Sequence, residues 1–119
     1  MISKARATYV DSSPQKARLV ADSIRGRSVN EALHILRFTR KRVAKDLLKV
    51  LRAAVANAES APASKVDVDD LVVASIFVDG ASLKYRRRML PAPMGRAYRF
   101  VRRQSHVTIG LDVKKLSEV

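Results

Sequence analysis

The longest regular pattern in the chain is at residues 43–60, VAKDLLKVLRAAVANAES. Its apolar residues recur every three or four positions, which places them on one face of an α-helix. We predict that Thr39 caps this helix and that it ends near Ser60, because Pro62 cannot continue it. An aliphatic stripe of this kind indicates core packing, and it consists of Val43, Ala44, Leu47, Leu48, Leu51, Ala54, Val55 and Ala58.

The chain before this helix predicts one strand and two shorter helices. Residues 4–10 alternate small or aromatic with polar side chains, as a short strand does. Ser13 and Pro14 then provide an N-cap and a first helical residue, and Gly26 is a stop signal for that helix. A capping box at residues 28–31 opens the second helix.

Two further strands are predicted after the long helix. Residues 71–78 are apolar on both alternating faces, so we predict a strand that is buried on both sides. Residues 105–113 alternate, and every second side chain from Val107 to Val113 is expected to point inward. The order β-α-α-α-β-β predicts a single α+β domain over residues 1–119.

Charge is distributed unevenly along the chain. The 24 Lys and Arg residues against 11 Asp and Glu residues give a formal net charge of +13. Residues 1–58 carry a net +9, residues 59–79 carry −4, and residues 80–111 carry +8 without one acidic residue. A folded domain this basic usually has a polyanion as its partner.

The acid-free stretch predicts a β-hairpin arm at about residues 82–103. Its flanks, 82–90 and 96–103, contain β-compatible residues, and the segment PAPMG at 91–95 lies between them as a tip. At about 3.3 Å per residue, such a hairpin reaches roughly 30 Å beyond the body. A lone hairpin is marginally stable in water, so we expect the partner to order it.

Three groups of cations are candidates for nucleic-acid contact. In the arm they alternate with aromatic residues, so that cations can neutralise phosphates and rings can stack on unpaired bases. A second group surrounds the first strand and helix, and a third lies along the long helix at Lys41, Lys45, Lys49 and Arg52, where a solvated helix face is the more ordinary interpretation. The predicted RNA-binding residues are Lys16, Arg18, Arg25, Lys84, Arg86, Arg87, Arg88, Arg96, Arg99, Arg102 and Arg103.

The sequence offers little material for catalysis. His34 and His106 lie on different predicted elements without metal-ligand spacing, and His106 fits a phosphate contact or an ordinary solvent-facing strand position equally well. Asp69 and Asp70 lack further oxygen ligands at loop spacing, which favours a strand-entry turn. Neither a P-loop nor a dinucleotide fingerprint occurs. We therefore expect no enzymatic activity, no metal site and no cofactor.

Three motifs resemble the bacterial type of the large-subunit ribosomal protein twenty-two family. The first is SPQKARLVAD at residues 13–22 with IRG at 24–26, and the second is AAVANAE at residues 53–59. The third consists of VDG at 78–80, GRA at 95–97 and RRQSHVT at 102–108. The resemblance covers nearly the whole chain, with the motifs in register.

The resemblance implies three helices packed on a small three-stranded antiparallel sheet, with a long protruding β-hairpin arm. It also implies a structural constituent of the large ribosomal subunit that binds large-subunit rRNA and supports its assembly. The hairpin tip would line the nascent-peptide exit tunnel, next to the place where macrolide antibiotics bind. Its residues would be Met89, Leu90, Pro91, Ala92, Pro93, Met94 and Gly95.

The implied partners are large-subunit rRNA, neighbouring large-subunit ribosomal proteins and, transiently, the nascent peptide. We expect no membrane association and no homo-oligomer, and a location on ribosomes of the cytoplasm or of an organelle. The alternative function for so basic a chain is that of a free-standing RNA-binding module or assembly chaperone.

Overall fold

The computed structural model describes residues 3–60, 68–81, 87–91, 93–95, 97–101 and 103–113. Within these residues the chain forms three α-helices and two separate antiparallel sheets. The elements are β1 (Ser3–Val10), α1 (Pro14–Ile24), α2 (Val29–Phe38), α3 (Val43–Ser60), β2 (Leu71–Gly80), β3 (Arg87–Pro91), β4 (Ala97–Val101) and β5 (Ser105–Val113). The predicted α+β architecture is confirmed, with β3 and β4 forming the hairpin between the last two strands of the body.

The predicted starts of α1 and α2 are confirmed. Ser13 Oγ accepts a hydrogen bond from the Lys16 N–H at 3.4 Å, and Ser28 Oγ accepts one from the Glu31 N–H at 3.3 Å. Both serines have extended backbone angles, as N-cap residues do. Pro14 is the first residue of α1, where a missing backbone N–H breaks no helical hydrogen bond.

The start of α3 differs from the prediction, because Thr39 ends α2 and does not open α3. Thr39 is the C-cap of α2, and its Oγ1 donates to the Ile35 carbonyl. The long helix begins four residues later, at Val43. A threonine between two helices can return its hydroxyl to the preceding turn or cap the following one, and its sequence position does not distinguish the two.

The core lies between the helices and one face of the three-stranded sheet. Six of the eight predicted stripe positions of α3 are buried, Leu48 and Val55 are half-buried against them, and Val50 is buried in addition. The sheet order is β1-β5-β2, so β5 is the central strand. Its residues Val107, Ile109 and Leu111 are fully buried, as their alternation predicts.

The strand β2 is buried on one face only, so the prediction of burial on both sides is wrong. Phe77 is 57% exposed on the outer face. A β-bulge between Val73 and Ser75 shifts the register with β5. A strand buried on both sides needs a cover on each face, whereas β2 is an outer strand of an antiparallel sheet that has its helices on one side. The core side of β2 consists of Leu71, Val73, Ile76 and Val78.

The strands β3 and β4 form a two-stranded sheet of their own, which confirms a hairpin within the predicted arm. Residues 82–86, 92, 96 and 102 of that arm lie outside the described residues. Its pairs run from Arg87 with Val101 to Pro91 with Ala97. The molecule measures 66 × 27 × 22 Å and its radius of gyration is 17.8 Å. A compact domain of this length has a radius of gyration of about 13–14 Å. The elongation is what an arm extending from a small body produces.

Truncation of Leu51 to alanine tests the position of the core. Leu51 is fully buried, so Leu51→Ala should lower the free energy of unfolding by about 2–5 kcal/mol through reduced burial and a cavity. The matched control is Leu19→Ala on α1, because Leu19 is 59% exposed and should change stability by less than about 0.5 kcal/mol. Urea unfolding of the full chain measures both, and equal effects would contradict the described core.

Candidate nucleic-acid interface

The predicted cations of the body lie along α1. Lys16 is exposed in the first turn of the helix, and Arg18 follows within the same helix. Arg25 is the C-cap residue, and its side chain is 51% exposed and 3.1 Å from the Asp22 carboxylate. These residues are accessible to a partner from the solvent side of α1.

Two of these arginines also bind the free edge of β2. Arg18 donates from Nε and Nη2 to the Val78 carbonyl, at 3.2 and 2.9 Å. Arg25 donates from Nη2 to the Ile76 carbonyl at 2.9 Å. An unpaired strand edge invites association with other chains, and charged side chains are one means of blocking it. Arg18 and Arg25 therefore have a structural role that their sequence positions do not reveal.

The turn after α1 forms backbone hydrogen bonds with another part of this edge. The Gly26 N–H donates to the Val73 carbonyl at 3.1 Å, and the Val73 N–H donates to the Arg27 carbonyl at 2.9 Å. Gly26 has a φ of +77°, a left-handed conformation that glycine adopts without strain. The predicted helix stop thus also docks the chain against β2.

The structure describes some of the arm's cations but not all of them. Arg87, Arg88 and Arg99 lie in β3 and β4, and Arg103 is exposed just before β5. The predicted contacts that lie outside the described residues are Lys84, Arg86, Arg96 and Arg102. The strand register pairs Arg88 with Phe100 and Arg99 with Met89, so each of these arginines lies opposite an apolar residue of the other strand.

Some residues of the predicted tip lie in a strand and others lie in a turn. Met89, Leu90 and Pro91 belong to β3, and residues 93–95 form a tight turn that is not helical at Met94. Ala92 lies outside the described residues. Met94 is 97% exposed with a φ of 62°, and Gly95 follows with a φ of 70°. The end of the hairpin therefore presents an uncharged, fully accessible side chain.

A polar cluster joins the arm to the body. Gln104 Nε2 donates to the Tyr9 carbonyl at 3.3 Å and to Asp11 Oδ1 at 2.7 Å. The Gln104 carbonyl accepts the Ala81 N–H at 3.0 Å. His106 Nδ1 accepts the Tyr9 N–H at 3.1 Å, so His106 is a hydrogen-bond partner of the β1 backbone. Sequence reasoning missed this cluster, because Tyr9 and Asp11 are more than 90 positions away from Gln104 and His106 in the chain.

The structure shows no grouping of metal-ligand residues in the ranges that it describes. No three His, Cys, Asp or Glu side chains come together there. Asp69 lies in a short helical turn before β2 and accepts a hydrogen bond from Asn30 Nδ2 at 2.8 Å, in agreement with the predicted strand-entry turn.

A helix that crosses a bilayer must be both long and apolar. Among the described residues, none of the helices meets both requirements.

Comparison with known sequences assigns a family to this arrangement. The sequence model of the family described as ribosomal protein L22p/L17e matches residues 5–112. The chain belongs to the L22p/L17e family. The match includes the three helices, both hairpin strands and nearly all of the three-stranded sheet.

Individual relatives have similar length and substantial identity. The protein named large ribosomal subunit protein uL22 in Solibacter usitatus is 49% identical, over 94% of this chain and 96% of the relative. The protein of the same name in Bacteroides fragilis is 48% identical over 96% of this chain and 82% of its own length. In Sorangium cellulosum the identity is 43%, over 97% of this chain and the full length of the relative. The expectation of a ribosomal-protein family is therefore confirmed, and the relatives are named as proteins of the large ribosomal subunit.

The motif at residues 53–59, which resembles the L22p/L17e family, has a visible structural role. Asn57 Nδ2 donates to the Lys4 carbonyl at 3.0 Å, on the edge of β1 that does not pair with β5. One turn earlier, the Ala54 carbonyl accepts a hydrogen bond from Ser3 Oγ at 2.9 Å. The end of α3 therefore holds the start of β1.

Substitution of the two arginines that bind the edge of β2 tests their structural role. Arg18→Gln and Arg25→Gln each remove hydrogen bonds to a strand carbonyl, so each should lower the free energy of unfolding by about 0.5–1.5 kcal/mol. Lys16→Gln removes the same charge on the same helix without such a bond, and its effect should stay within about 0.5 kcal/mol. Urea unfolding compares the three variants. Equal values for all three would mean that the two guanidinium groups do not stabilise the edge.

Proposed function

We propose that the chain is a non-catalytic structural constituent of the large ribosomal subunit that binds large-subunit rRNA and supports its assembly. The observation that carries the proposal is the hairpin, which lies within 32 residues that hold eight cations and no acid, in a chain of the L22p/L17e family. The names of the relatives indicate the same particle. This function places the chain on the ribosomes of the cytoplasm.

The electrostatics of the arm favour burial within folded RNA. The eight like charges within residues 80–111 repel one another, and a surrounding polyanion turns that repulsion into net attraction. Lys and Arg side chains that neutralise phosphates also release condensed counterions. A thin arm can enter a crevice between RNA helices, where specificity comes from the shape of the RNA.

The cations of α1 supply a second contact in this proposal. Arg18 uses Nε and Nη2 on the Val78 carbonyl, and a guanidinium has five N–H donors in a planar fork. The donors that remain can meet a phosphate while the strand edge holds the side chain in place. Lys16, Arg18 and Arg25 would then bind rRNA from the body, as the sequence predicts.

The tip would line the nascent-peptide exit tunnel. Residues 91–95 carry no charge, and Met94 within them is almost fully exposed. Contact there with a passing nascent peptide would depend on shape and on apolar surface, whereas the cations on both flanks anchor the arm. Neighbouring large-subunit ribosomal proteins complete the proposed set of partners, and no cofactor takes part.

Sedimentation tests the proposed function directly. The tagged chain should migrate with large subunits in a sucrose gradient at moderate salt and should remain there after a high-salt wash. A chain that leaves the particle in moderate salt and binds unrelated RNA equally well would instead be a free-standing RNA-binding module or assembly chaperone.

Charge removal in the arm should weaken binding to large-subunit rRNA. Arg102→Gln with Arg103→Gln should lower the slope of the logarithm of the affinity against the logarithm of salt concentration by about one for each phosphate that is no longer neutralised. The matched control is Lys41→Gln with Arg52→Gln, which removes the same charge from the region of α3. Filter binding over a salt series measures both, and equal slopes would exclude a special role of the arm.

Deletion of residues 85–98 separates the arm from the body. The hairpin forms its own sheet, so the shortened chain should keep a cooperative urea transition. It should also enter large subunits less completely, because the deletion removes four of the arm's eight cations. Loss of cooperative unfolding would show that the hairpin belongs to the core.

A further inference from the structure

A groove of about 450 Å³ lies between the end of β1 and the first half of α3. One wall consists of residues 7–11, and the other consists of α3 together with Arg42, which directly precedes it. The volume is within the range of about 300–1,000 Å³ that is typical of small-ligand sites. None of the residues that line the groove belongs to the hairpin, and neither Arg18 nor Arg25 is among them.

The helix wall of the groove is basic. Arg42, Lys45 and Lys49 line it, at the start and in the first half of α3. Arg42 and Lys45 lie where the helix dipole is positive and disfavours a cation unless an anion is bound nearby. The acids of the groove have other roles, since Asp46 complements the dipole in the first turn and Asp11 accepts a hydrogen bond from Gln104.

The strand wall presents Tyr9 in an unusual conformation. Its φ is 55°, in the left-handed region that a bulky side chain rarely adopts, at a bulge in β1. Hydrogen bonds hold the residue there on both sides, from its N–H to His106 Nδ1 and from Gln104 Nε2 to its carbonyl. The residue nevertheless remains 57% exposed, and its ring meets His106 edge-on at 4.8 Å. Backbone strain that the surroundings enforce is characteristic of ligand-binding positions.

We propose that this groove holds one unpaired nucleotide of an RNA, with its base stacked on Tyr9 and its flanking phosphates on Arg42, Lys45 and Lys49. An exposed aromatic ring beside cations matches the base and phosphate of a splayed-out nucleotide. A base-paired nucleotide offers phosphates but no free base face. The inference rests on the proposed binding of RNA and adds a contact in the body that selects single-stranded RNA.

A tryptophan in place of Tyr9 makes this contact measurable in the full chain. The chain contains no tryptophan, so Tyr9→Trp introduces a single indole at the groove. An oligouridylate of about 12 nucleotides should quench its fluorescence by stacking, whereas a blunt RNA duplex of the same length should leave it nearly unchanged. Equal quenching by both RNAs would overturn the proposal.

Charge variants in the Tyr9→Trp background test the phosphate contacts. Lys45→Gln with Lys49→Gln should raise the half-saturating oligouridylate concentration and lower the salt slope by about 1.4, since each contact to a single strand contributes about 0.7. The control is Lys41→Gln with Arg52→Gln, which removes the same charge outside the groove. Equal shifts in both pairs would mean that the groove cations are ordinary surface charges.

Photocrosslinking of the unsubstituted chain provides an independent measurement. Thiouridine is incorporated into the rRNA of assembled large subunits. A labelled single-stranded stretch of this RNA should crosslink to the tryptic peptide of residues 7–16, which contains Tyr9. If the chain sediments with large subunits but crosslinks only through its arm, the proposed function stands and this inference is contradicted. Protection of the peptide by a neighbouring protein would also overturn it.

Discussion

Burial of the apolar stripe of α3 against β5 is the interaction on which the rest of the body depends. β5 is the central strand of its sheet, and its inward side chains Val107, Ile109 and Leu111 are inaccessible to solvent. β1 and β2 pair with its two edges, and α1 and α2 extend the cover over the same face. Removing the contact between α3 and β5 would leave no shared layer for the other elements.

A sheet that is covered on one side still has two outer edges, whose backbone N–H and C=O groups also need hydrogen-bond partners. The edge of β2 is closed by Arg18, Arg25 and the turn after α1, all of which donate to or accept from its backbone. At the edge of β1, Asn57 from α3 donates to the Lys4 carbonyl. Helices on a single face therefore serve both the core and the edges, and two of the 15 arginines of this basic chain are employed in this way.

Local sequence patterns predict most of the architecture. They cannot predict polar contacts between residues that are far apart in the chain. The caps at Ser13 and Ser28, the stripe of α3 and the alternation of β5 are all encoded within a few residues. The prediction for β2 is wrong, because apolar periodicity cannot report which face of a strand receives a cover. For the candidate interface, the charge map indicates an acid-free stretch, and the hairpin formed by β3 and β4 lies within it. Sequence spacing cannot show that Tyr9, Gln104 and His106 meet, because their neighbourhood exists only after the sheet has formed.

The central position of β5 determines when this protein can fold during its own synthesis. β1 pairs with β5 across about a hundred residues, as in the pairing of Ala5 with Ile109, and β2 also pairs with β5. The sheet cannot close until residue 113 has left the ribosome that makes it, by which time all three helices and the basic arm have already emerged. Contacts this distant in sequence slow folding and prolong the exposure of unpaired strands. For much of its synthesis the chain is therefore a basic polymer without its sheet, and polyanions can bind its arm before the body has become compact.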